Sequence, residues 1–231
     1  MKAHFLFLGF IAAALCSCAS NPAAQKTTQG LHGMIYDGDN RPVKEVRIYV
    51  NSKLSAVSDI HGHFTLAKLK TGKNYRVQAC KDNYEEEALD IHYTDPKEVL
   101  YLNMSHRDQL LSRAEQALRE EDWALSASLL ARAGALGADY SPTQYLQAAL
   151  AFRRGEYNAA LDILVKLEET ERNAPYVCLF IADLCQRFTG DNERAAVFLK
   201  KFLELRYDPE IAERLRKLSE AAGPQGPANM E

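Results

Sequence analysis

Near Ser105 the hydrophobic period of this chain changes. Upstream, Val46, Ile48 and Val50 alternate with Arg47 and Tyr49, and Tyr75, Val77 and Ala79 alternate again. A period of two suits a strand with one face in a core. Downstream, Leu110, Leu111, Ala114, Ala117 and Leu118 recur three, four and seven positions apart, as on one face of a helix. The two periods demand different cores. The chain therefore reads as a multidomain β + α protein, with strands over 30–104 and helices over 105–221.

Within 30–104, short apolar runs are separated by turn formers such as Asp37-Gly38-Asp39-Asn40-Arg41-Pro42. This predicts an N-terminal β-sandwich of about seven strands. In the helical part, Glu121-Asp122-Trp123, Gly155-Glu156-Tyr157 and Gly190-Asp191-Asn192 begin 34 and then 35 residues apart. That period predicts a repeat array of three helix pairs, with a seventh helix near 208–221 as a cap. Trp123, at the aromatic turn position of the first repeat, is expected to be largely buried.

The chain starts with Met1-Lys2, an apolar run from Phe5 to Leu15, and Cys16-Ser17-Cys18. A run of roughly 11 residues is too short for a spanning helix, and the layout predicts a signal peptide over 1–17. The exit resembles a bacterial lipobox, with Leu15 and Ser17 before Cys18. That resemblance makes Cys18 the lipidation site, held to the bilayer by acyl chains, with 18–29 a lipidated tether. It implies a lipid-anchored protein of the bacterial cell envelope; Ala19 rather than an aspartate points to the outer membrane. The tail over 222–231 is expected to be disordered. The net charge of −3 does not propose nucleic acid as a partner. Cys178 and Cys185, seven apart, read as core residues on one helix side; Cys80 sits in a strand.

Two families are resembled. Gly33-Met34-Ile35-Tyr36-Asp37, Arg41-Pro42-Val43 and Ser58-Asp59-Ile60-His61-Gly62-His63-Phe64 resemble a carboxypeptidase-regulatory-like domain of the transthyretin-type sandwich family. At the hairpin, Asp59 is expected to accept backbone hydrogen bonds, Gly62 to take positive φ and Phe64 to enter the core. The resemblance implies a fold and no activity. Residues 106–206 resemble tetratricopeptide repeats, through Ala114, Ala117, Trp123 and Leu130, then Ala148, Ala151, Gly155, Tyr157, Ala160 and Leu164, then Ala182, Gly190, Ala195 and Leu199. The first repeat departs at Glu121, where a glycine is expected, and at Ser126, where an alanine is. The third has one extra residue before its turn.

Arg119, Arg153 and Arg187 are each 34 apart, at the end of the first helix of each repeat. Two readings stand. Arginine there complements the helix dipole, or the three line a groove for a partner segment, with Tyr145, Phe152 and Tyr176 adding apolar contact. The asparagines of a carboxylate clamp are absent from the neighbouring positions Leu111/Glu115, Tyr145/Ala149 and Leu179/Asp183. Asp59, His61 and His63 alternate, but no fourth metal ligand accompanies them, so they read as hairpin residues and no metal is expected. Glu85-Glu86-Glu87 reads as a solvated edge. No nucleophile elbow, phosphate loop or zinc-protease helix occurs, so neither enzyme chemistry nor a cofactor is expected. The leading expectation is an envelope scaffold or adaptor that binds a protein partner through its helices. The alternative is a carbohydrate- or nutrient-capture lipoprotein using the β-sandwich. Oligomeric state is not legible.

Overall fold

The computed structural model describes residues 30–137 and 139–221. The expected signal peptide, Cys18, the tether and the tail lie outside the described residues. Seven strands in two sheets are followed by seven helices. One sheet has the order β4-β1-β7, made of His63–Leu66, Leu31–Asp37 and Val99–Met104. The other has the order β3-β2-β5-β6, made of Lys53–Val57, Arg47–Val50, Lys73–Cys80 and Glu87–Tyr93.

The alternating residues of both sheets meet in one core that includes Ile35, Ile48, Phe64, Leu66, Val77 and Met104. Each such burial contributes roughly 1.5–3 kcal/mol. Glycine at position 33 is dictated by this core, because a Cβ there would fall 2.1 Å from the Phe64 ring. The segment after Ser58 is not the expected hairpin, because β3 and β4 belong to different sheets and do not pair; it is a tight turn that carries the chain from one sheet to the other, and it closes as its residues require. Asp59 Oδ1 accepts from the backbone N–H of His61 and of His63, both at 2.8 Å, and Gly62 has φ +75°. Strand β1 runs antiparallel to β4 but parallel to β7, pairing His32 with Val99 and Asp37 with Met104. The chain thus enters at one end of the β half and leaves it at the other. Strand β3, an edge, is not among the apolar runs of the sequence; four of its five residues are exposed.

Helices α1 (Arg107–Arg119), α2 (Trp123–Ala135), α3 (Ser141–Arg153) and α4 (Tyr157–Thr170) are followed by α5 (Pro175–Leu184), α6 (Asn192–Leu205) and α7 (Pro209–Ala221). Asp122 and Asp191 cap α2 and α6, each accepting a backbone N–H at 2.9 Å. Alanines at the crossing points let the helices approach: Ala114, Ala148, Ala160, Ala182 and Ala195 are all 0% exposed. The extra residue before the Gly190 turn has a definite place. Helix α5 ends in a π-helical turn, Cys185–Thr189, where Gly190 (φ +72°) donates its N–H to the carbonyl of Cys185.

The two halves meet through short loops. Glu85 takes two hydrogen bonds from Arg132 of α2, at 2.8 and 2.6 Å. It is therefore paired across the junction, not merely solvated edge charge. The Arg132 bonds outweigh partial burial and hold Glu85 below the usual carboxylate range. Arg107 N–H donates to the Asn83 carbonyl at 2.8 Å, and the Tyr84 and His106 rings meet edge-on at 4.7 Å. Burial alone would raise the pKa of Asp37. Backbone N–H groups of Arg41 and Asp39, with the Arg41 side chain, reverse this and lower it.

Candidate binding surface

Six aromatic side chains form a continuous row on the second and third helix pairs. Tyr176 and Phe180 of α5 both meet Tyr145 of α3 edge-on, at 5.3 and 5.8 Å between centroids. Phe180 then meets Phe152 at 5.6 Å, and Phe152 meets Phe188 of the π turn at 5.2 Å. Phe188 stacks on Tyr157 of α4 at 4.5 Å and 31°. Edge-on and offset geometries are those the ring quadrupoles favour. The row is anchored below and open above: Tyr145, Phe152, Tyr157 and Phe180 pack against the core, while Tyr176 is 51% and Phe188 42% exposed. Burial, and the neighbouring Tyr176 hydroxyl, push the Tyr145 phenol above its ordinary pKa.

The three arginines do not form a uniform ladder. Arg119 is exposed and pairs with Glu115 one turn back, at 2.7 Å. Arg153 lies with its guanidinium 5.7 Å from the centre of the Trp123 ring. Arg187 falls inside the π turn. The left-handed turn residues are Glu121, Gly155 and Gly190, with φ of +62°, +77° and +72°. Counting two back from them reaches Arg119, Arg153 and Phe188. The extra residue has put an aromatic ring where α1 and α3 carry a cation. Sequence spacing therefore selects Arg187 by counting forward, while the turn geometry selects Phe188.

Several residues of this surface were not singled out by the sequence. Arg154 Nη2 donates to the Trp123 carbonyl at 3.1 Å, tying the end of α3 to the start of α2. Phe180 bridges Tyr145 to Phe152; its spacing of four from Tyr176 was the signal available. Trp123 is partly buried, packed against the core of α1–α3 on one side and facing Arg153 on the other. Asp183, one of the groove-facing positions, is taken by Arg214 of α7 at 2.6 Å.

In the β half, Asp59 is committed to its own turn, and its pKa is lowered chiefly by the His63 backbone N–H. The His61 and His63 rings stand 6.0 Å apart. Among the described residues, no three His, Cys, Asp or Glu side chains converge as a metal site. The exposed aromatic of the β half, Tyr101, projects from strand β7 and not from a loop.

No protein-family model matches the chain, and no curated protein sequence matches it. Solved structures resemble the helical half. The N-terminal domain of stress-induced protein-1 from C. elegans is 15% identical, covering 49% of this chain and 94% of its own, at a TM-score of 0.45. The type III secretion chaperone SycD of Yersinia enterocolitica, solved with a peptide of the translocator YopD, is 18% identical over 49% of this chain and 89% of its own, at 0.43. The TPR domain of Arabidopsis OM64 is 14% identical over 50% and 95%, at 0.44. These likenesses concern the helical half alone and say nothing of what this chain binds.

Proposed function

We propose that the protein is a lipid-anchored scaffold or adaptor of the bacterial envelope, whose tetratricopeptide-like helices hold a segment of a partner protein. In this reading the two sheets are a carboxypeptidase-regulatory-like sandwich and the helices are three repeats with α7 as cap. Acyl chains on Cys18 hold the protein to the membrane, in the outer membrane by the identity of Ala19.

The observation that carries the binding role is the aromatic row with its open upper edge. A monomer gains little by leaving Tyr176 and Phe188 half in water. Arg153 and Arg154 follow Phe152 of the row directly in the chain and both reach Trp123, while Arg119 ends α1. Rings to cover and cations at one margin suit a short segment with apolar or aromatic anchors and a carboxylate on one flank. The sandwich reading of ligand capture has less support, since its exposed tyrosine lies on a flat strand face.

The experiment is site-specific crosslinking. A photoreactive residue at position 176 in the full chain should capture a defined partner in intact cells. The combined variant Tyr176→Ala, Phe188→Ala, Arg153→Gln, all exposed or half-exposed sites, should keep its helical circular dichroism and lose that partner. Equal recovery from a folded variant would reject this surface.

A further inference from the structure

We propose that the end of the β half where the chain enters at Gly30 is a docking surface for an anionic phospholipid membrane. The proposal rests on the lipid anchor at Cys18 and adds a second, electrostatic contact to it. Pairing fixes which loops share that end. Leu31 pairs with Leu66, His32 with Val99 and Lys73 with Tyr93, so the loops over 67–72 and 94–98 lie beside Gly30. The opposite end carries the loops that meet the helices.

Charge divides along the same axis. The entry end holds Lys68, Lys70, Lys73 and Lys97 against Asp95 and Glu98. All four lysines are exposed, and none makes an ion pair within 4.0 Å among the described residues. The far end is acidic, with Asp37, Asp39, Glu45, Asp59, Asp82, Glu85 and Glu86 outnumbering Arg41, Lys44, Arg47 and Lys81. A chain of net charge −3 thus gathers a cationic cluster at the end nearest its own N-terminal segment.

The lysine loop is built, not loose. Leu69 packs on the core of the sheets, Lys70 N–H donates to the Tyr75 hydroxyl at 2.8 Å, and Gly72 N–H donates to the Tyr93 carbonyl at 2.7 Å. Lys97 N–H is held by Asp95 Oδ1 at 2.8 Å. The backbone is tied inward, which leaves the ammonium groups facing out. Twelve positions separate Cys18 from Gly30, so an anchored chain presents this end to the headgroups first. Lysines act on an anionic surface within about one Debye length, roughly 10 Å at ordinary ionic strength. One consequence is orientation, because the helical half leaves from the opposite end and its aromatic row stays clear of the bilayer.

The test uses the full lipidated chain on vesicles of phosphatidylcholine alone, or with about a third of phosphatidylglycerol. Lysines are pulse-acetylated and read by mass spectrometry. On the anionic vesicles Lys68, Lys70, Lys73 and Lys97 should react about threefold or more slowly, and high salt should restore them. Lys200, exposed on α6, should react equally on both. In the Lys68→Gln, Lys70→Gln, Lys73→Gln variant the protection of Lys97 should vanish. Chain that floats with both vesicles yet labels equally on them overturns the docking surface alone. Chain that fails to float with either overturns the anchor, and this surface with it.

Discussion

Replacing Ser126 with alanine should stabilise the protein. Ser126 lies in α2 at a helix crossing where the repeat pattern expects alanine; it is 0% exposed and its hydroxyl has no hydrogen-bond partner. A buried, unpaired hydroxyl costs about 1–3 kcal/mol. Alanine also has the higher helix propensity, by up to ~0.5 kcal/mol. Against this stands the void left by one oxygen, smaller than a methyl group and so costing less than ~1 kcal/mol. The net gain should be about 1–2 kcal/mol, dominated by the removed desolvation. With a urea m-value of about 2 kcal/mol/M, the midpoint should rise by roughly 0.5–1 M. Far-UV circular dichroism in urea reads it directly. Ser128→Ala, exposed on the same helix, supplies the control, since it changes only propensity. The reasoning fails if Ser126→Ala moves the midpoint no further than Ser128→Ala, or lowers it with m unchanged. Either result would mean that the hydroxyl is paired in solution.

Three further outcomes are expected. Glu121→Gly should stabilise by ~0.5–1 kcal/mol: a side chain at φ +62° carries about 1–2 kcal/mol of strain, partly offset by glycine's freedom in the unfolded chain; a lower urea midpoint would contradict it. Asp37 has a folded pKa below its ordinary value of 3.8, so its contribution is complete above that value and lost as pH falls through the folded pKa. Asp37→Asn should therefore flatten the stability–pH curve below about pH 5, and a parallel curve would refute the linkage. Burial pushes the thiols of Cys178 and Cys185 up. Iodoacetamide at neutral pH should therefore spare both until urea opens the helices, and modification of the native protein at the rate of a free thiol would refute their placement.

What could be read from sequence follows from where the information is local. The turn at Asp59–Phe64 was legible because one carboxylate, one glycine and one ring act within six residues, whereas the crossing from one sheet to the other that it makes was not. The helical half was legible because its alanines repeat. Strand β3 was not, since Lys53–Val57 is an exposed edge with no buried face to impose alternation. The pairing of Glu85 with Arg132 was invisible for another reason: 47 residues separate partners that only the fold brings together. The candidate surface falls between these cases. Its rings are individually conspicuous, but their order depends on the π turn. An extra residue was countable in the sequence, whereas its effect, placing Phe188 in an arginine's position, needed the backbone.

The fully buried alanines of the helices have a consequence for how this chain can change over time. At Ala114, Ala148, Ala160, Ala182 and Ala195 no side-chain surface is left exposed. The smaller alternative is glycine, which weakens a helix interior by about 1 kcal/mol. Every larger apolar residue must push two helices apart, at roughly 1–3 kcal/mol. Leucines in the same cores can trade with methionine or isoleucine at little cost. Substitution should therefore accumulate at the large positions and on the outward faces while the small ones stand still. A distant descendant of this chain would be known less by its leucines than by where its alanines fall.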